Sequence, residues 1–253
     1  MRESGLVSGV LGGRTALVTG GSRGIGRAIV ERLTRDGATV TFGYRADKGA
    51  AEEVVAGVTA VGGRARAVQA DLAEPGAVTQ LWDAAEAFAG PVDILVNNAG
   101  VGVVRTLAEL SDLDYERVMQ VNLRAVFDTL REAARHMPDG GRIVNVSTVN
   151  TVMPGPGISL YAASKGAVEQ LTVIAAHELG ERGITVNTVS PGATETDMLR
   201  DHNSPDGMET MRAMSPLGRI GQPEEVADVI AFLVGPDGRW MTAQNLRAGG
   251  GIR

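Results

Sequence analysis

Thr15-Ala-Leu-Val-Thr-Gly-Gly-Ser-Arg-Gly-Ile-Gly26 is the stretch that decides the fold of this 253-residue chain. Residues 15–19 form a short apolar and β-branched run, the signature of a buried strand. Glycines at 20, 24 and 26 fall where that strand turns into a helix expected over 24–36. Glycine there permits a tight turn and close approach of backbone to a pyrophosphate, which the helix N-terminus attracts. A glycine cluster is weak by itself, because turns use glycine anyway; its meaning depends on the pattern of the remaining chain.

That pattern is alternation. Short runs at 39–43, 66–70, 93–97, 142–146, 185–189 and 244–247 read as six further strands. Amphipathic stretches at 50–61, 77–88, 113–137, 160–182 and 223–234 read as the intervening helices. Such alternation predicts a single α/β domain spanning 1–253, a seven-stranded parallel sheet, doubly wound with helices on both faces. Residues 1–12 carry no such pattern and are expected to form a flexible N-terminus. The least regular part is 193–217, with Met208, Met211, Met214 and the turn-like Asn203-Ser-Pro-Asp-Gly207. Adaptable methionines suit a substrate-binding wall, and equally a loosely packed loop.

Composition narrows the chemistry. With no cysteine, disulfides, thiolate catalysis and cysteine zinc sites are excluded. His136, His177 and His202 are scattered without ligand spacing, so no metal is expected. A net charge of −6 argues against a nucleic-acid surface. No apolar run approaches the roughly 18 residues a membrane span needs, and the N-terminus lacks the apolar core of a signal peptide. A cytoplasmic location is the default expectation.

The chain holds only two lysines, Lys48 and Lys165, against 22 arginines. Lys165 lies four residues after Tyr161, on one helix face, where an ammonium can lie near a phenol. A nearby cation favours phenolate and lowers a phenol pKa from about 10, into the range general acid–base catalysis uses. Taken alone, the pair could as well be an ordinary exposed helix face. Strand two ends Gly43-Tyr44-Arg45, with no acid placed to bind a ribose 2′-hydroxyl; Asp47 lies beyond the strand. Arg45 and Arg23 could instead clamp a 2′-phosphate, so NADP(H) is favoured over NAD(H). The other reading is a solvated Arg45 and slight selectivity.

With Thr19-Gly-x-x-x-Gly-x-Gly26, Asp71-Leu72, Asn97-Asn-Ala-Gly100, Asn122, Ser147-Thr148, Tyr161-x-x-x-Lys165 and Pro191-Gly192 in this order, the chain resembles the single-domain short-chain dehydrogenase/reductases over about residues 11–252. The resemblance implies a Rossmann fold and hydride transfer between a nicotinamide and a ketone or secondary alcohol. It implies cofactor contacts from Gly20, Ser22, Arg23, Gly24, Ile25, Gly26, Tyr44 and Arg45. Asp71 and Leu72 would flank the adenine. Asn98, Ala99 and Gly100 would line the adenosine ribose and pyrophosphate side of the cleft, although Asp71 and Asn98 could equally be strand-end caps. Pro191, Gly192, Thr194 and Thr196 would sit at the nicotinamide. Tyr161 would be the acid in reduction, Lys165 would lower its pKa and hold the ribose, and Asn122 would anchor a relay water at a helix irregularity.

The resemblance departs from pattern at the substrate hydroxyl. Relatives end that strand with two serines; here Ser147 precedes Thr148. Successive strand side chains point to opposite faces, so at most one faces the cleft unless the strand has ended. Alignment favours Thr148, whose methyl group restricts its rotamer and takes pocket space. Ala243 stands where relatives often carry glycine. Relatives also imply a homotetramer with Trp240 at an interface, the other reading being a core tryptophan. The implied substrate is a small carbonyl compound or alcohol, or a carrier-bound acyl thioester as in the 3-oxoacyl-thioester reductases; Arg105, Arg124 and Arg131 are candidates for a carrier patch or plain surface residues. A nucleotide-sensing protein of the same fold, without turnover, is the alternative that loss of Tyr161 or Lys165 would have signalled.

Overall fold

The computed structural model describes residues 9–153, 155–201 and 203–252, so the expectations on 1–8, Pro154 and His202 fall outside it. Seven strands, β1 (Thr15–Val18), β2 (Thr39–Tyr44), β3 (Arg64–Gln69), β4 (Ile94–Asn97), β5 (Arg142–Val146), β6 (Thr185–Pro191) and β7 (Asn245–Ala248), form one sheet in the order 3-2-1-4-5-6-7. Every pairing is parallel. The helices are α1 (Gly24–Arg35), α2 (Lys48–Ala60), α3 (Ala77–Ala89), α4 (Asp112–Met119), α5 (Ala125–His136), α6 (Ser159–Leu179), α7 (Asp197–Asp201), α8 (Pro205–Met214) and α9 (Pro223–Val234). This is the doubly wound Rossmann architecture expected from the alternation.

Strand periodicity sorts the core into two layers. Ala16 and Val18, Ile94 and Val96, and Val144 and Val146 pack on one face against Ile29 and Leu33 of α1, Val54 of α2 and Ile230 of α9. Leu17, Leu95, Ile143 and Val186 point the other way, onto Trp82 of α3, Leu130 of α5 and Val168 of α6. Leu11 is buried in the first layer and its N–H donates to the Asp36 carbonyl at 2.8 Å. The stretch expected to be flexible therefore gives way to packed chain before β1 begins.

Three local departures have physical causes. The helix expected over 113–137 is interrupted by a five-residue π-helical turn, Gln120–Arg124, so α4 and α5 are separate. The segment 193–217 is more regular than its composition suggested. Ser204 accepts from the Gly207 N–H with Pro205 in the first turn, a start signal for α8 that reads in sequence as a loop. Ala243 has φ of 57°, in the left-handed region, which accounts for glycine being common there in relatives.

A buried polar chain crosses the sheet centre under α5 and α6. Thr129 donates to Asn97 Oδ1, Asn97 to Asn145 Oδ1, and Asn145 to Thr172 Oγ1, each at 2.8 Å. Thr188 donates to the same Thr172 oxygen at 2.9 Å. All five side chains are buried. Thr172→Val keeps the shape but orphans the Asn145 amide, so it is expected to lower unfolding free energy by about 1–3 kcal/mol in urea titrations, with unchanged m.

Candidate active site

The sheet order reverses between β1 and β4, and the segments leaving their C-terminal ends diverge there to open a cleft. Thr19 and Asn98 fasten its floor. Thr19 Oγ1 accepts from the N–H groups of Asn98 and Ala99, both at 3.0 Å. Asn98 Nδ2 donates to the carbonyls of Thr19 and Gly20, at 3.0 and 2.9 Å. Asn98 thus shapes the loop rather than reaching into the cleft. A β-carbon at Gly26 would lie 1.9 Å from the Gly20 carbonyl oxygen, and Gly20 itself has φ of 69°. Glycine at these two positions is therefore a steric requirement. The mouth beside Gly24 is bounded by the Thr196 methyl, 3.2 Å from where a β-carbon would stand. Thr196 Oγ1 accepts from the Leu199 N–H and donates to the Thr194 carbonyl, while Thr194 donates to the Gly192 carbonyl. Pro191 ends β6 and delivers this turn to the cleft.

At the far end of β2, Tyr44 is buried and Arg45 is exposed. The Asp47 carboxylate caps α2 by accepting from the Ala50 N–H at 2.9 Å. The guanidiniums of Arg45 and of Arg23, on the exposed glycine loop, have no ion-pair or hydrogen-bond partner among the described residues. Ser22 and Ile25 are half-buried beside Arg23, Ile25 packing on the α1 core layer. Asp71 uses one carboxylate oxygen to accept from the Ala73 N–H at 3.0 Å, leaving the other oxygen, while Leu72 packs on the opposite core layer.

The structure separates Ser147 from Thr148 as strand alternation requires. Ser147 turns inward, where its hydroxyl donates to Glu169 Oε1 at 2.7 Å. Thr148 is buried and its hydroxyl accepts from the Asn150 N–H at 3.2 Å. Lys165 is buried in α6, with Nζ donating to the Val146 carbonyl at 2.8 Å. Gly100 lies against it: a β-carbon there would sit 3.4 Å from Nζ and 3.5 Å from Asn122 Oδ1.

This geometry sets the surroundings of the groups the sequence singled out. The phenol of Tyr161 is pushed up by burial, with an opposing pull from the Thr148 hydroxyl. The lysine ammonium is tied beneath the strand end, and burial lowers its own pKa to about 8. Asn122 does lie in the π-helical turn, but its side chain is already engaged. Oδ1 accepts from the Val101 N–H, and Nδ2 donates to the Val101 carbonyl and the Ser164 hydroxyl, at 2.8, 2.9 and 3.1 Å. Its amide hydrogens are therefore committed to clamping the β4–α4 segment onto α6.

Sequence reasoning missed Glu169, which lies one helical turn beyond Lys165 and gathers the hydroxyls behind Thr148. The signal was the i, i+4, i+8 spacing of Tyr161, Lys165 and Glu169. The three arginines considered for a carrier patch are paired instead: Arg105 with Asp114, and Arg124 and Arg131 with Asp128. Trp240 is 96% exposed, which removes the core reading. Among the described residues, no helix is long and apolar enough to cross a membrane.

A cleft at the sheet's switch point, floored by glycine and facing a tyrosine and a buried lysine, defines a nucleotide-binding oxidoreductase. A family model described as enoyl-(acyl carrier protein) reductase matches residues 20–253. A short-chain type dehydrogenase/reductase of Picea abies is 43% identical over 95% of this chain and 93% of its own length. A short chain dehydrogenase of Burkholderia cenocepacia J2315, solved in complex with NADP, is 44% identical, superposing with a TM-score of 0.92 over 96% of this chain and 98% of that one. The angucycline C-6 ketoreductase LanV, solved with bound NADP, is 42% identical with a TM-score of 0.91 over 96% and 97%. The chain belongs to the short-chain dehydrogenase/reductase family.

Lys165 gives this site a stability signature. Its pKa is lowered from 10.5 to about 8 on folding. Between those values the unfolded chain holds a proton that the folded chain has released, so this residue's contribution to stability rises with pH there. Below about 8, folding carries the full cost of burying the cation. Lys165→Met is expected to unfold at higher temperature than wild type near neutral pH. The advantage should shrink as pH climbs from about 8 towards 10.5, measured by calorimetry.

Proposed function

We propose that this protein is an NADPH-dependent carbonyl reductase, transferring hydride between the nicotinamide and a small ketone or secondary alcohol. The observation that carries the reading is buried Lys165, one turn after Tyr161 on α6, with Nζ bonded to the Val146 carbonyl two residues before Thr148. The cofactor fits the residues present. Gly20, Gly24 and Gly26 leave room for a pyrophosphate against the α1 N-terminus, which favours negative charge. Arg23 and Arg45 have no partner among the described residues and would be available to a 2′-phosphate, whereas Asp47 is occupied as a helix cap. The relatives solved with NADP support the same preference.

When bound, NADPH supplies the hydride. The Tyr161 hydroxyl donates its proton to the oxygen of the reduced carbonyl, and burial keeps that proton in place until charge develops. The Thr148 hydroxyl shares the same oxygen, stabilising the growing negative charge. Lys165, against Gly100, would hold the ribose hydroxyls with its remaining ammonium hydrogens, and the proton that Tyr161 gives up is replaced from solvent. Asn122 positions rather than reacts, fixing the wall at Val101.

A free small-molecule ketone is favoured over a carrier-bound thioester, because Arg105, Arg124 and Arg131 are neutralised by neighbouring carboxylates. The retained Tyr161 and Lys165 disfavour a sensor without turnover. The expected assembly is a homotetramer, supported by exposed Trp240 and by an apolar groove of about 760 Å³ beside Phe127, Leu171 and Ile174.

Monitoring NADPH absorbance over keto-thioesters, diketones, cyclic ketones and sugars tests the reaction. Tyr161→Phe is expected to lower turnover by about a hundredfold or more; undiminished turnover in that variant would refute the assignment. Removing either cation should test the cofactor. Arg23→Ala and Arg45→Ala are each expected to weaken NADPH binding about tenfold while leaving NADH within about twofold, by fluorescence titration.

A further inference from the structure

Glu169 stands behind the reacting hydroxyls and touches none of them. Its Oε1 accepts from the Ser147 hydroxyl at 2.7 Å and from the Thr151 hydroxyl at 2.8 Å. These two residues bracket Thr148, one directly before it and one three residues after. Each hydroxyl has a second, weaker acceptor. Ser147 also reaches the Lys165 carbonyl at 3.4 Å, and Thr151 the Thr148 carbonyl at 3.1 Å. A hydroxyl has one hydrogen to give, and a charged, closer carboxylate takes it over a neutral carbonyl. The carboxylate therefore decides where both side chains point.

The consequence runs along the turn Val149–Thr151. Thr148 is its extended first flank, with φ of −163°, and Thr148 Oγ1 accepts from the Asn150 N–H inside it. That bond takes up one lone pair of the oxygen and leaves its hydrogen free to be given elsewhere. Thr151 closes the same turn and is anchored by Glu169 on α6, the helix that also carries Tyr161 and Lys165. So one helix supplies both the phenol and the clamp that sets the partner hydroxyl. The neighbouring strand joins in: Ser190, fully buried before Pro191, lies 3.5 Å from the same Oε1 and donates to Asn245 Oδ1 at 2.7 Å.

We propose that Glu169 is a positioning residue for the carbonyl-reducing site, holding Thr148 against Tyr161 through Ser147 and Thr151. The proposal rests on the function assigned above to Tyr161 and Thr148. Three variants separate its elements. Glu169→Leu removes the acceptor without leaving a charge, Glu169→Gln keeps an acceptor oxygen, and Thr151→Val removes one donor.

The decisive readout is the ultraviolet phenolate titration of Tyr161, taken as the difference between each protein and its Tyr161→Phe counterpart. With Thr148 released, the phenolate loses a hydrogen bond. Glu169→Leu and Thr151→Val should therefore titrate about half a unit or more above wild type, with Glu169→Gln close to wild type. Turnover of phenanthrenequinone with NADPH is the second readout. In Glu169→Leu, kcat is expected to fall about tenfold or more at an NADPH Kd within about twofold of wild type. Wild-type titrations in both Glu169→Leu and Thr151→Val would overturn the proposal, as would a parallel loss of NADPH affinity. If Glu169→Leu does not fold, Thr151→Val decides by itself. Retained turnover in Tyr161→Phe would instead refute the underlying function, whatever the titrations give.

Discussion

Asn98 donates both side-chain amide hydrogens to the carbonyls of Thr19 and Gly20, and its backbone N–H to the Thr19 hydroxyl. Those three bonds join the ends of β1 and β4, the two strands between which the sheet reverses direction. Without them, carbonyls at the head of the glycine loop would face a cleft meant for phosphate oxygens. Like charges would then meet, and the helix N-terminus could not be used. The close packing of Gly26 on Gly20 comes from the same geometry, because the loop must turn back over its own carbonyl. Everything that the cleft can hold depends on this floor.

The second constraint is the cost of a cation under the sheet. Lys165 is 3% exposed, and its Nζ is bonded to a single backbone carbonyl, so its charge is poorly compensated within the chain. A core built for stability alone would place an apolar side chain there. The chain keeps the lysine against Gly100, whose β-carbon would sit 3.4 Å from Nζ. The Asn97–Asn145–Thr172 chain next door is different, each member giving or taking a side-chain hydrogen bond within the interior.

Much of this is legible in the sequence. Hydrophobic periodicity locates all seven strands within about two residues, and the glycine spacing identifies the strand–helix turn. Alternation could separate Ser147 from Thr148 only while the strand lasts, and β5 ends at Val146, so which hydroxyl Glu169 takes is read from the fold. The contacts made across distance in the chain are not legible in this way. Asn122 clamps Val101 from 21 residues away, and Glu169 meets Ser147 from 22. The phenol's environment escapes sequence reading for a related reason. Helical spacing puts Lys165 on the face of Tyr161, but the lysine's hydrogen-bond partner, the Val146 carbonyl, comes from β5 and only the fold shows it.

The division between rigid and adaptable parts is set by where hydrogen bonds are satisfied. Tyr161, Thr148 and Lys165 sit on α6 and the end of β5, elements buried on the sheet and held by side-chain bonds at their ends. The opposite wall is built differently. Of α7 and α8, no residue is buried, and α8 begins on its own local cap at Ser204. At the mouth, Arg105 N–H meets the Gly157 carbonyl at 2.9 Å, and Gly157, at φ of 84°, has its missing β-carbon 3.2 Å from Val104. α8 thus rests on a cap formed within its own first turn, and the mouth on a backbone contact between two loops. Substitutions there cost little in folding, whereas changes at Glu169 or Asn122 disturb bonds between buried elements. On the reading proposed above, the same physics that fixes one chemistry on the sheet leaves the choice of substrate to its loops.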